Sequence, residues 1–168
     1  MSLSLYDASI PRFINMLKNL SAFLDKAEAH AASGGPALSE LFTASFGHEM
    51  LPLKAQVQLA SDAAKGGAAR LAGVEAPAMP DTEGDFPALK NRIAATIAFL
   101  ETLKRDQVEG QEDREIVLTF PNFKMEFTGQ SFLFDFSMPN FLFHVVTAYD
   151  ILRANGVPLG KRDYLNRA

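Results

Sequence analysis

The chain contains no cysteine and no tryptophan among its 168 residues. The first absence excludes a disulfide framework, a thiolate zinc site and a cysteine nucleophile, and it suits a reducing compartment. No apolar run approaches the roughly 18 residues of a membrane span, and the N-terminus has no basic stretch leading into an apolar one. Basic residues form no run: 16 of them are scattered against 20 acidic ones, for a net charge of −4, so the electrostatic footprint of a nucleic-acid binder is missing. A phosphate loop, a nucleophile elbow and a metalloprotease motif are also missing, because the pairs Gly34-Gly35 and Gly66-Gly67 lack the context those motifs require. The expectation is a cytoplasmic protein that binds neither nucleic acid nor membrane.

What is present is a large apolar fraction, 48% of residues, enough for one domain over residues 1–168 to bury a core without a metal or a cross-link. From Pro11 onward Phe13, Met16, Leu17, Leu20, Phe23, Leu24 and Ala27 recur at intervals of three and four, the stripe of an amphipathic helix. Pro11 suits its first turn, and Ser33-Gly-Gly-Pro36 stops it. Leu38 to Ala44 has the length of a short extra helix. A second long helix is expected from Pro52 to Gly73, with Leu53, Val57, Ala60, Ala64 and Leu71 inward. Its glycines at 66 and 67 weaken helix propensity by about 1 kcal/mol each but allow a neighbouring backbone to come close.

Val74 to Asp81, with Pro77 and Pro80, reads as an extended crossover. Asp85 can cap a third helix running to Arg105 through Phe86, Leu89, Ile93, Ile97, Leu100 and Leu103, with Glu101 and Arg105 paired on its outside. The period then changes from helical to two over Ile116–Phe120 and Phe123–Phe127, a small hairpin that must lie on the helices. Thr128 can cap a last helix that meets Pro139 inside its pattern, where the freed carbonyl of Asp135 predicts a bend or a split. Asn155-Gly156 and Pro158 end it.

This last helix is where polar chemistry concentrates. Asn140 and His144 lie one turn apart on one face, like the two ligands of a His-x-x-x-His metal pair, but with an amide as the first partner. An amide oxygen is a weak ligand for zinc or nickel, and a hydrogen-bonded core histidine is the simpler account of His144. Asp135 faces the disruption at Pro139. His48-Glu49 precedes a helix start and His30 lies near a helix end, where local dipole effects account for them. Of the 14 phenylalanines, Phe132, Phe134, Phe136, Phe141 and Phe143 concentrate around Pro139; most are expected as core, with some left for a pocket wall or a dimer face.

Asn140-x-x-x-His144 followed by Tyr149-Asp-Ile-Leu-Arg-Ala-Asn-Gly-Val-Pro158 resembles the last-helix signature of the DinB/YfiT-like superfamily. Met1-Ser-Leu-Ser-Leu-Tyr6, Leu51-Pro-Leu-Lys-Ala-Gln-Val-Gln-Leu-Ala-Ser-Asp62, Arg70-Leu-Ala-Gly73, Pro139-Asn140-Phe141 and Gly160-Lys-Arg-Asp163 are similar to one uncharacterised bacterial branch of it, so the resemblance spans nearly the whole chain. It implies an all-α, four-helix up-down-down-up bundle with the hairpin before the last helix, frequently homodimeric. It also implies a metal site built from one histidine on the second helix and two on the last. Some members are thiol-dependent transferases or isomerases using bacillithiol or mycothiol.

Carried onto this chain, the last-helix ligand positions fall on Asn140 and His144, and the second-helix position falls near Gln56 or Gln58. Gln56, Asn140 and His144 can form a hydrogen-bonded cluster, with Asp62 at the rim of the same cavity, that binds a small polar ligand or fixes helix register. Three readings follow. One is a small-ligand-binding or interaction protein whose metal site has degenerated. Another is a divergent metal-dependent transferase or hydrolase, with or without a thiol cofactor, holding nickel, zinc or iron. The third is a purely structural dimer.

Overall fold

A computed structural model describes residues 4–165. Its long helices are α1 (Leu5–Ala32), α3 (Leu53–Ala72), α4 (Phe86–Thr102) and α7 (Met138–Ala154). Shorter ones are α2 (Leu38–Thr43), α5 (Arg105–Val108), α6 (Gly129–Ser131) and α8 (Lys161–Leu165), and the strands are β1 (Ile116–Thr119) and β2 (Lys124–Phe127). Phe13 meets Phe141 and Phe23 meets Tyr149, so α1 and α7 run in the same direction. Lys90 reaches Asp25 and Glu28, which sets the start of α4 beside the end of α1. The pairs Gln56 with His144 and Gly67 with Ser137 make α3 antiparallel to α7. The result is the up-down-down-up bundle with the hairpin before the last long helix, and the inward stripes meet in one continuous apolar core. Among the described residues no helix is long and apolar enough to cross a membrane.

Local chemistry moved several boundaries. Helix α1 begins at Leu5, capped by the Ser4 hydroxyl, so Pro11 stands inside it and not in its first turn. The N–H that Pro11 lacks would have served the Asp7 carbonyl, and Arg12 Nε donates to that carbonyl at 3.2 Å. Helix α4 is capped by Asp85 as expected but stops at Thr102. Arg105 opens α5, where it pairs with Asp7 and Glu109 and lies over the Tyr6 ring, so the expected pair with Glu101 does not form. Helix α3 ends at Gly73, whose φ of 68° is the left-handed value that favours glycine.

At Pro139 the helical backbone continues and does not split. Residues Phe132–Ser137 adopt a π-helical turn, and the Met138 N–H donates to the Leu133 carbonyl five residues back. One extra residue in the turn keeps the backbone continuous past the proline. The hairpin pairs Ile116 with Phe127 and Thr119 with Lys124, and it buries Ile116 and Leu118 beneath it.

The crossover from α3 to α4 is held by an unexpected residue. Arg92 has a side chain only 2% exposed; Nη1 donates to Glu83 at 2.9 Å, and Nη2 reaches Asp62 at 2.9 Å and Asp81 at 3.0 Å. Gln58 Nε2 also donates to Glu83, at 2.7 Å. A guanidinium presents its donors in a planar fork, so one side chain can tie α3, α4 and the crossover together. Arg92→Ala strands the sheltered Glu83 carboxylate, and a stability loss of about 3 kcal/mol is expected. Urea denaturation checks this; a midpoint equal to that of the wild type would contradict it.

Candidate functional site

Helix α3 approaches α7 along a strip of small side chains, because Ala60, Ala64 and Ala68 are fully buried and Gly67 has no side chain. At one end of that seam Gln56, 1% exposed, faces His144. The Gln56 amide orientation is fixed by Nε2 donating to the Leu51 carbonyl at 2.9 Å. Its oxygen therefore points at His144 Nδ1, 2.9 Å away, and an amide oxygen only accepts, so Nδ1 carries the proton. Nε2 is left as a lone-pair acceptor. It has no hydrogen bond among the described residues and is not one of the sealed, unpartnered polar atoms, so it meets solvent. Burial lowers the His144 pKa from its ordinary 6.5, which keeps the ring neutral. The Phe143 ring stands edge-on to the imidazole at 5.3 Å.

The four residues expected to cluster do not all meet. Gln56 and His144 form one pair. Asp62 and Asn140 line a different space, a cavity of about 310 Å³ between α3, β1 and the π-turn, which His144 does not line. Asp62 Oδ1 is already bound by Arg92 and, at 3.0 Å, by Lys65. Asn140 is exposed, and its side chain makes no hydrogen bond among the described residues. Of the two glutamines weighed on α3, Gln58 is turned away to Glu83. Asp135 is exposed beside Thr128 and Gln130. His48 and Glu49 precede the start of α3 as expected, in left-handed backbone with φ values of 48° and 66°. His30 packs its ring edge against Gly35.

Three residues escaped the sequence reading. Arg92 sits on the inward stripe beside Leu89 and Ile93, and the acidic crossover was the clue to its partners. Arg70 lies back over Gly66, with Nη1 donating to the Gly66 carbonyl at 3.0 Å. Ser137 is 3% exposed, and its hydroxyl faces Gly67 with no hydrogen-bond partner among the described residues. Among the described residues no three His, Asp or Glu side chains gather closely enough to hold a metal ion.

With this geometry in place, comparison with known proteins is informative. A family model described as a domain of unknown function, DUF1993, matches residues 5–165. The chain is also similar to the crystal structure of a DinB family member protein from Shewanella denitrificans. The two are 38% identical over 96% of this chain and 91% of that one, with a TM-score of 0.87. No curated protein matches the chain.

The His144 environment has a pH consequence whose sign is fixed. The folded ring resists protonation, whereas the unfolded ring takes a proton near its ordinary 6.5. The unfolded state therefore binds more protons in the window from 6.5 down to the depressed folded value, and stability falls as the pH falls through it. Thermal melts between pH 7 and pH 5 are expected to show a steeper loss for the wild type than for His144→Gln. Parallel pH profiles for the two proteins would contradict this.

Proposed function

The chain belongs to the DUF1993 family, and from that membership and the Gln56–His144 contact we propose a single-domain, homodimeric, small-ligand-binding protein on a DinB-like bundle, with a degenerate metal site. The observation that carries this reading is the use made of Gln56: its amide oxygen accepts from His144 Nδ1, so it acts on the imidazole. The positions aligned with the superfamily ligands carry one imidazole and two amides, a donor set that suits a soft divalent metal poorly. A neutral imidazole with a fixed tautomer and a solvent-facing Nε2 is instead a hydrogen-bond acceptor for a polar ligand. Phe143 and Val146, exposed on α7, offer an apolar face to a second copy of the chain in a cytoplasmic dimer.

The alternative is a divergent metal-dependent transferase or hydrolase. It is favoured by one detail, since metal-bound histidines commonly donate their second N–H to a carbonyl, as His144 does to Gln56. Elemental analysis of protein purified without chelator separates the two. The ligand-binding reading expects substoichiometric nickel, zinc and iron in both the wild type and His144→Ala. About one metal per chain in the wild type, lost in His144→Ala, would establish the metal-dependent enzyme instead. Sedimentation of the same wild-type sample is expected to give the mass of a dimer, and a monomer mass would remove the dimer from the proposal.

A further inference from the structure

The cavity between α3, β1 and the π-turn has a character that the Gln56–His144 end of the seam lacks. At about 310 Å³ it stands at the low end of the roughly 300–1,000 Å³ range of small-molecule sites. Leu59, Leu118, Phe132 and Phe136 give it apolar and aromatic walls, and its polar side chains are Asp62, Arg70, Thr119, Ser137 and Asn140.

The sign of the charge it would accept follows from how those groups are already engaged. Asp62 is ion-paired where it stands, because one of its oxygens takes both Arg92 Nη2 at 2.9 Å and Lys65 Nζ at 3.0 Å. Arg70 has no carboxylate partner among the described residues; its single internal bond is from Nη1 to the Gly66 carbonyl. That bond holds the guanidinium against α3, and the bare position 66 leaves room for it: a Cβ there would lie 2.8 Å from Nη1, and the guanidinium would have to shift. The fork is thus positioned in advance with donors unspent. Ser137 adds a second unspent donor, a hydroxyl with no partner at 3% exposure in the cavity wall, and Asn140 adds a free amide. The remaining N–H groups of Arg70, the Ser137 hydroxyl and the Asn140 amide, none of which has an acceptor among the described residues, surround an apolar space.

We propose that this cavity is a binding site for a small carboxylate with a compact apolar body, the carboxylate held by Arg70 and the polar edge of Ser137 and Asn140, the body against Phe132 and Phe136. The inference rests on the reading of the chain as a ligand-binding protein, and it places the ligand at the Arg70 end of the seam, away from His144. It also gives the Gly66-Gly67 pair two separate purposes. Gly66 lets Arg70 lie back, and Gly67 leaves room for Ser137.

Calorimetric titration with benzoate tests it, with benzamide as the uncharged control of the same shape. Benzoate is expected to bind saturably to the wild type and at least tenfold more tightly than benzamide. Arg70→Gln, on the helix surface, is expected to weaken benzoate at least tenfold with an unchanged circular dichroism spectrum, and His144→Gln to leave it unchanged. Ala63→Phe, which fills the cavity, is expected to abolish binding where it folds. No saturable benzoate binding, or an affinity that Arg70→Gln leaves intact, would overturn the site. Binding that depends on His144 and not on Arg70 would also overturn it while leaving the ligand-binding reading standing, and the metal content decides that reading separately.

Discussion

The close approach of α3 to the π-turn at Gly67 and Ser137 is the constraint on which the rest of the molecule depends. Ser137 Oγ occupies the space in which a Cβ on residue 67 would stand. With that hydroxyl in place only a bare Cα at residue 67 lets the last helix settle this deeply, and Ala60, Ala64 and Ala68 extend the same contact along the seam. Because α3 and α7 are antiparallel, the depth and register set at Gly67 carry to the other end, where they bring Gln56 within hydrogen-bond distance of His144. Ser137 loses a hydrogen bond in this arrangement, an unusual state for a buried hydroxyl.

The π-turn and Pro139 belong to the same constraint. A regular α-helix would leave the Asp135 carbonyl unserved and turn the following side chains along a fixed 100° step. The extra residue changes the rotation between Phe132 and Ser137 before Pro139 is reached, which opens the wall of the cavity lined by both residues. Two polar centres then lie on one seam with different electrostatics. His144 is neutral by burial, whereas the Arg70 end keeps a cation without a counterion among the described residues. Arg92 stands between them in the hierarchy of the fold. By binding Asp62 together with Glu83 and Asp81 it fastens the crossover and removes Asp62 from the pool of free carboxylates.

Much of this was legible in the sequence, and the rest failed for identifiable reasons. The four long helices followed from apolar residues at three and four, and the hairpin from a change of period at Ile116, because both patterns record which side chains must avoid water. The caps at Asp85 and Thr128 and the stop at Gly73 are local chemistry and were readable locally. Pro11 misled because the Arg12 side chain repairs the carbonyl that proline leaves open, a compensation visible only in three dimensions. Asn140 and His144 share a helical face, yet shared face is not shared depth. His144 is half-buried against Gln56, whereas Asn140, next to the π-turn, is exposed at a separate cavity. Arg92 was hidden because a charge on an inward stripe contradicts the pattern unless the acidic crossover at Asp81 and Glu83 is seen to fold back onto it.

A double-mutant cycle on Gly67 and Ser137 tests the seam most directly. Gly67→Ala alone is expected to cost about 1–3 kcal/mol by overpacking, despite the roughly 1 kcal/mol that alanine contributes to helix propensity. In a Ser137→Ala background the clash with the hydroxyl is gone, and the new Cβ meets Ser137 Cβ at 3.4 Å and Phe13 Cζ at 3.6 Å, ordinary contacts. There the same Gly67→Ala change is expected to be neutral or stabilising, so the sign of its effect turns on one oxygen atom. Equal stability losses in the two backgrounds, measured by urea denaturation, would contradict the account of how α3 and the last helix are joined.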